Sequence, residues 1–269
     1  MEKIRVTIVG AAGRMGRRLT ALVMSSGDMV LTGAVEVAGN PLLGSDAGTA
    51  AGAGISGVAL TDDLDAALKN SDAVINFSTA GAVEAAEKAV KAGCSIVIGT
   101  TALSDADKAR LAELAKNGRI VLSPNMSVGV NLLFHLAAEA ARKLEGYDIE
   151  IVEMHHNLKK DAPSGTAVKL GEVVAAARGW DYAEAVRHGR EGMVGARTAG
   201  EIGMHSLRGG DVVGDHTVIF AAGGERVELT HKASSRDTFA AGALRAVRFL
   251  STAKPGKLYD MQDVLGLRD

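Results

Sequence analysis

The sequence is poor in cysteine and in aromatic residues: Cys94 is the only cysteine among 269 residues, and aromatic side chains make up 3%. A single cysteine excludes an internal disulfide and a cage of thiolate metal ligands. Cys94 adjoins the apolar run Ser95–Ile98, so we expect a buried structural thiol and not a nucleophile. The scarcity of aromatic residues argues against a surface on which nucleic-acid bases stack.

The sequence also lacks an excess of charge and a long hydrophobic run. Its net charge of −2 gives no basic field for nucleic acid or an anionic membrane. No run approaches the ~18 apolar residues of a membrane span, and the N-terminus has no signal-peptide pattern. We therefore expect no nucleic-acid partner, no membrane association and a cytoplasmic location. The length suggests one large or two modest domains.

The first half begins with a glycine-rich loop between a predicted strand over 4–9 and a predicted helix. A second strand is predicted over 29–36, and Glu36 lies twenty positions after Gly16. This order predicts a dinucleotide site more strongly than a structural turn, because the glycines allow a pyrophosphate to approach the helix N-terminus and the acid binds ribose hydroxyls. The predicted cofactor residues here are Gly10, Ala11, Ala12, Gly13, Arg14, Met15 and Glu36.

The acid at position 36 also bears on cofactor choice. A carboxylate there repels a 2′-phosphate, which favours NADH, and Val37 adds no charge to counter it. Arg14 in the glycine loop leaves NADPH open. We therefore expect NADH or NADPH, with NADH favoured.

Strands predicted over 73–77, 95–99 and 119–122 alternate with helices over 82–92 and 105–116. Alternation predicts an α/β fold with a doubly wound parallel sheet, which binds ligands at the carboxyl ends of its strands. Residues 39–57 show no clear period and are expected to form a surface excursion near the adenosine end, to which the sequence assigns no function. The further cofactor residues predicted at the strand ends are Gly99, Thr100, Thr101, Ser123, Pro124, Asn125 and Met126.

The pattern changes near residue 127. A helix over 127–146, a strand over 148–154 and a helix over 165–177 are followed by clustered strands over 202–207, 217–221 and 226–230. Clustered strands predict an α+β domain with a mixed or antiparallel sheet. We expect a dinucleotide-binding domain over 1–126, with 237–269 packing back on it, and a substrate-binding and oligomerisation domain over 127–236. The apolar face predicted for the first helix comprises Val128, Leu132, Leu133, Leu136 and Ala140.

The stretch 153–167 holds the strongest catalytic candidates, His155 and Lys159. Histidine suits proton transfer because its ordinary pKa is ~6.5, and lysine offers a point charge for a carboxylate. On an extended strand His155 and His156 point to opposite faces, so both reach one ligand only if the strand ends near His155. Gly165 and Thr166 open a helix whose N–H groups suit a substrate carboxylate, and Ser164 can cap it as well.

The remaining histidines give weaker signals. His188, His205 and His216 are isolated in the sequence and are expected to be structural or exposed. The polar run 231–236 is equally compatible with a ligand site and with a subunit contact. No spacing of His, Asp or Glu predicts a metal site.

These motifs together resemble the dihydrodipicolinate reductase (4-hydroxy-tetrahydrodipicolinate reductase) family. The likeness rests above all on 153–167 and extends over most of the chain, through 10–16, 43–48, 98–101, 125–131, 214–217 and 230–236. The resemblance implies hydride transfer from NADH or NADPH to C4 of a cyclic dicarboxylate in lysine and diaminopimelate biosynthesis, and a homotetramer built through the second-domain sheet. It also implies that His155 is a proton donor and acceptor, that Lys159 is a proton donor and that His156, Gly165 and Thr166 bind substrate.

One departure from the family and two alternatives bear on this assignment. Members that use both nicotinamides often carry Arg after the acid, where this chain has Val37. Another two-domain NAD(P)-dependent amino-acid dehydrogenase would share the build. A non-catalytic dinucleotide sensor would keep the glycine loop and Glu36 but would have no need for His155, His156 and Lys159.

Overall fold

The first half of the chain forms a parallel sheet because its apolar, β-branched runs alternate with amphipathic helices. The structure is a computed structural model that describes residues 2–101 and 103–268. Within these residues the elements of the first half are β1 (Ile4–Val9), α1 (Arg14–Ser25), β2 (Met29–Val35), α2 (Ala47–Ala50), β3 (Leu60–Thr61), α3 (Leu64–Leu68), β4 (Ala73–Asn76), α4 (Ala82–Lys91), β5 (Ser95–Ile98), α5 (Asp105–Leu114) and β6 (Ile120–Leu122).

The second half places two long helices against a second sheet. Their shared core contains Ile149, Ile151 and Phe220 from the strands and Leu133 and Leu170 from the helices. The elements are α6 (Val128–Lys143), β7 (Asp148–His155), α7 (Gly165–Arg178), α8 (Tyr182–Ala185), β8 (Val186–His188), β9 (Ile202–Arg208), β10 (Gly214–Ala222) and β11 (Glu225–Ala233).

The chain ends with α9 (Asp237–Thr252), β12 (Leu258–Tyr259) and α10 (Met261–Val264). β12 pairs in parallel with β6 at the edge of the first sheet. Contacts divide the chain into two compact units, one of residues 1–128 and 237–269 and the other of residues 129–236.

The strand orders confirm the predicted fold class. Among the described residues, the first sheet has seven parallel strands in the order β12-β6-β5-β4-β1-β2-β3. The second has five in the order β11-β10-β7-β9-β8, where β10 runs antiparallel to its neighbours and β7, β8 and β9 are parallel. The chain therefore contains a doubly wound α/β unit and an α+β unit with a mixed sheet.

Two expectations about local structure are wrong. The segment 39–57 is more than a surface excursion, because α2 forms there, Asp46 caps it and Ala47 lies in the core. In α6 the buried face carries Val130, Leu133, Phe134, Ala137 and Ala141, whereas Leu132 and Leu136 are exposed. This helix is apolar on two neighbouring stripes, so its composition does not show which stripe packs on the sheet.

Cys94 is buried as expected, and burial raises the pKa of its thiol. No helix in the described part of the chain is long and apolar enough to span a membrane.

Candidate active site

The glycine loop between β1 and α1 has the shape that a dinucleotide pyrophosphate requires. Gly10 adopts φ +77°, in the left-handed region that favours glycine. A Cβ on Gly16 would lie 2.1 Å from the Gly10 carbonyl oxygen, so only glycine lets α1 approach the turn this closely. Gly13 precedes α1, and the first turn has neither a side-chain cap nor an acidic residue. The first N–H groups of α1 are therefore suited to an anion.

Glu36 follows β2 and lies against this loop. Its Oε2 accepts a hydrogen bond from the Ala12 N–H at 2.9 Å, and its Oε1 accepts one from the Val37 N–H at 3.0 Å. The carboxylate is thus fixed next to the glycine loop, where it can bind ribose hydroxyls and repel a 2′-phosphate. Within the loop Ala11 is buried, and Arg14 at the start of α1 is exposed.

The other predicted cofactor residues lie at the carboxyl ends of neighbouring parallel strands. Gly99 and Thr100 follow β5, and the Thr100 hydroxyl donates to the Ser78 carbonyl at 2.8 Å beyond the end of β4. A Cβ on Gly99 would lie 2.4 Å from the Phe77 ring. After β6, the Ser123 hydroxyl donates to the Asn125 carbonyl at 2.8 Å, while Met126 is buried. Thr101 and Pro124 are exposed at the same strand ends.

In the second unit, β7 ends at His155. The strand therefore ends where it must if both histidines are to reach one ligand. The chain then turns: the His156 N–H donates to the Val212 carbonyl at 2.7 Å, and the Lys159 N–H donates to the His156 carbonyl at 3.1 Å. The Nδ1 atom of His156 is buried and has no hydrogen-bond partner among the residues that the structure describes.

Glu153 forms the centre of the polar contacts around His155. Its side chain is 0% exposed, and its Oε2 lies 2.6 Å from His155 Nδ1. Arg208, at the end of β9, donates to both carboxylate oxygens at 3.0 and 2.9 Å. Burial opposes ionisation of Glu153, but hydrogen bonds from Arg208, His155 and Ser206 outweigh it and hold its pKa below the ordinary value.

Lys159 is paired with an acid in its own loop. Its Nζ donates to both carboxylate oxygens of Asp161, at 2.9 and 2.8 Å. This bond lowers the pKa of Asp161. The lysine side chain is 19% exposed and the aspartate side chain 65%. Because an exposed ion pair is weak, the carboxylate of a ligand can compete with Asp161 for the ammonium group.

The start of α7 is joined to the same cluster. Ser164 caps the helix by accepting from the Ala167 N–H at 3.2 Å, and its own N–H donates to Glu153 Oε1 at 3.2 Å. Gly165, at the first helical position, is exposed, and a Cβ there would meet no atom within 4 Å. The helix end is therefore open to a ligand.

His216 is isolated in the sequence but not in the fold. It is buried on β10 directly opposite Glu153, and its ring centroid lies 5.2 Å from that of His155. Its Nε2 shares a hydrogen bond of 3.0 Å with the Ser164 hydroxyl. Burial, and then the neighbouring His155, lower the pKa of His216 to about 4, so it is neutral at physiological pH.

Three other histidines lie in three different environments. His205 is also not isolated, because its Nε2 lies 2.7 Å from Glu150 Oε2 on the opposite face of β7. His188 is exposed. His231 is partly buried on β11 opposite His216, which places the start of the run 231–236 beside the histidine cluster.

Sequence comparisons agree with these features. A family model described as dihydrodipicolinate reductase, N-terminus, matches residues 4–126, and one described as dihydrodipicolinate reductase, C-terminus, matches 129–265. The chain belongs to the dihydrodipicolinate reductase family.

Full-length relatives and a solved structure extend the comparison. The chain is 52% identical to the 4-hydroxy-tetrahydrodipicolinate reductase of Syntrophotalea carbinolica over 98% of this chain and 100% of that one. It is 53% identical to that of Anaeromyxobacter dehalogenans, over 98% of each. A dipicolinate-bound dihydrodipicolinate reductase from a Paenisporosarcina species superimposes with a TM-score of 0.76 at 25% identity, over 97% of this chain and 98% of that one.

The sequence motifs therefore identified the family, but they did not identify the residues that hold His155 in place. Glu153 had a local signal, since on a strand it shares a face with His155. Ser164 had a signal only as a helix cap. Arg208 and His216 had none, because strand pairing brings them to Glu153 and His155 from more distant parts of the chain.

Proposed function

We propose that this protein is a 4-hydroxy-tetrahydrodipicolinate reductase that acts in lysine and diaminopimelate biosynthesis. Membership of the dihydrodipicolinate reductase family supports the assignment. The observation that carries it is that one chain contains both a dinucleotide-type glycine loop and the Glu153–His155 and Lys159–Asp161 pairs. The reaction adds one hydride and one proton to a conjugated cyclic dicarboxylate formed by loss of water, and yields tetrahydrodipicolinate.

The first unit fits a nicotinamide dinucleotide. The close approach at Gly16 and the uncapped N-terminus of α1 suit its pyrophosphate. When bound, the reduced nicotinamide supplies the hydride. The residues that we propose to hold the cofactor are Gly10, Ala11, Ala12, Gly13, Arg14, Met15, Glu36, Gly99, Thr100, Thr101, Ser123, Pro124, Asn125 and Met126.

Glu36 supports a preference for NADH. Its carboxylate is fixed beside the glycine loop by the Ala12 and Val37 N–H groups, so a 2′-phosphate would meet a negative charge that cannot move away without losing two hydrogen bonds. Val37 offers no positive charge in compensation.

His155 and Lys159 are the proposed proton donors. Hydride addition at C4 leaves electron density on the substrate that a proton must neutralise, and a correctly placed imidazole or ammonium group supplies it. Lys159 has a second role in this proposal: its ammonium group exchanges Asp161 for a substrate carboxylate. The second carboxylate binds at the open start of α7, through Gly165 and Thr166, with His156 alongside.

The test is a coupled assay in which the unstable substrate is generated in the cuvette and nicotinamide absorbance is followed. We expect turnover with both nicotinamides and a higher kcat/KM with NADH. Wild-type protein that turns over neither cofactor would contradict the reductase assignment. A higher kcat/KM with NADPH would contradict only the role given to Glu36.

The family resemblance also leads us to propose a cytoplasmic homotetramer assembled through the outer face of the second sheet. That face carries the exposed Leu207 and the partly exposed Val152 and Ile219. Light scattering should give the mass of four chains.

A further inference from the structure

We infer that Glu153 and Arg208 are positioning residues that fix the proton-bearing nitrogen of His155. The inference rests on the proposed function of His155 and goes further, because it assigns two residues that need not touch the substrate. Glu153 holds the imidazole, and Arg208 holds Glu153.

The first argument is the complete use of the Glu153 carboxylate. An ionised carboxylate offers about four acceptor positions. Here Oε2 accepts from His155 Nδ1 and Arg208, and Oε1 accepts from Arg208 and the Ser164 N–H. The side chain is wholly buried and therefore has no freedom to turn away from the histidine.

The second argument concerns the tautomer of His155. The pKa of Glu153 lies below its ordinary value, so the carboxylate is ionised and acts only as an acceptor. The hydrogen between it and His155 must then reside on Nδ1. Nε2 is left to take up and release the proton. Its position is close to Gly214, where an added Cβ would lie 3.0 Å away.

The third argument is the reach of Arg208. Besides its two bonds to Glu153, it donates to the Asp161 carbonyl at 2.7 Å. The Asp161 side chain in turn holds Lys159. One guanidinium group therefore connects both proposed proton donors to the buried carboxylate.

Stability alone is a poor reason for this arrangement. Desolvation of a buried ion pair offsets most of its Coulomb attraction, so an apolar pair of the same size is often as stable. A carboxylate that holds an imidazole in one tautomer has a clear use in proton transfer, where the loss of that carboxylate greatly reduces kcat.

The test is a double-mutant cycle between Glu153→Gln and His155→Gln. Glutamine keeps the shape of Glu153 but removes its charge. We expect Glu153→Gln alone to lower kcat about 10²-fold, to raise the solvent deuterium isotope effect on kcat and to leave the Kd for NADH within threefold. In the His155→Gln background the same change should lower kcat less than threefold, because Glu153 acts through His155.

Glu150→Gln is the matched control, since Glu150 holds a histidine and two arginines on the other face of the same strand. It should leave kcat within threefold. If Glu153→Gln does not fold, Arg208→Lys replaces it in the cycle, because the Arg208 side chain is more exposed than that of Glu153. We expect Arg208→Lys to lower kcat about tenfold, and to lower it much less in the His155→Gln background.

Multiplicative losses in the cycle, or a Glu153→Gln protein with near-normal kcat, would overturn the inference. The inference would also be overturned if Glu150→Gln lowered kcat as much as Glu153→Gln while the molar mass of the assembled protein stayed the same. All three outcomes require an active wild-type enzyme, so they are distinct from a failure of the reductase assignment, in which the wild type itself is inactive.

Discussion

On each of its two faces, strand β7 carries a glutamate that is hydrogen-bonded to a histidine and to arginine. On the inner face, Glu153 binds His155 and Arg208. On the outer face, Glu150 binds His205, Arg190 and Arg197. The two glutamates are three positions apart, so strand alternation directs them to opposite sides. Both carboxylates are ionised: for Glu150, hydrogen bonds from Arg190, His205 and Arg197 outweigh burial and lower its pKa to about 2.

The difference lies in what each cluster holds. Arg190 and Arg197 belong to the connection between β8 and β9, and Arg197 also donates to the Ile149 and Glu201 carbonyls. The outer cluster therefore fastens a long loop to the sheet. The inner cluster fixes the His155 ring, whose Nε2 atom lies close to Gly214. Similar hydrogen bonds thus attach a loop to the sheet on one face and, in the proposed function, position a proton donor on the other.

The largest expected contrast is between the two histidines. His155→Gln should lower kcat by ~10²-fold or more, the usual scale for loss of a general acid, whereas His205→Gln should leave kcat within twofold. Lys159→Ala should resemble His155→Gln. The measurement is steady-state kcat together with fluorescence titration of NADH, which should bind all three variants normally. Near-normal kcat in His155→Gln and Lys159→Ala would remove their assigned roles.

The two faces should also respond to acid in different pH windows. His216, beside the inner cluster, has a folded pKa of about 4 against an ordinary 6.5. The unfolded chain therefore binds a proton that the folded chain does not, and stability falls as the pH drops from 6.5 towards 4, by about 3 kcal/mol at most. The Glu150 carboxylate, with its pKa lowered to about 2, loses its contribution only as the pH falls from 4.5 towards 2.

Urea unfolding at a series of pH values separates these contributions. His216→Gln should flatten the slope of the unfolding free energy between pH 6.5 and 4, and Glu150→Gln should flatten it only below 4.5. The slope is compared and not the absolute stability, because each variant also loses hydrogen bonds at neutral pH. An unchanged slope in His216→Gln above pH 4.5 would contradict a neutral buried His216.

The sequence predicted the local structural features of both units that depend on neighbouring residues. The glycine loop, Glu36, the end of β7 and the start of α7 are local patterns, and each lies where it was expected. The partners of Glu153 depend instead on strand register. Arg208 pairs with His155 across β7 and β9, and His216 pairs with Glu153 across β7 and β10.

A shift of one residue in either pairing would send these side chains to the other face. Nothing near Arg208 or His216 in the sequence specifies that register. For the same reason, His205 and His216 looked alike as isolated histidines, although one belongs to the outer cluster and the other contacts the inner one.

A smaller and sharper contrast comes from one glycine beside each cluster. A Cβ on Gly214 would lie 3.0 Å from His155 Nε2, and a Cβ on Gly203 would lie 1.8 Å from Glu150 Oε2. Gly214→Ala should displace the ring slightly and lower kcat about tenfold, with little change in Tm. Gly203→Ala should instead cost about 1–3 kcal/mol of stability by overpacking, with kcat preserved. The opposite result, in which Gly203→Ala lowers kcat and Gly214→Ala lowers only stability, would assign the structural role to the inner face and proton transfer to the outer face.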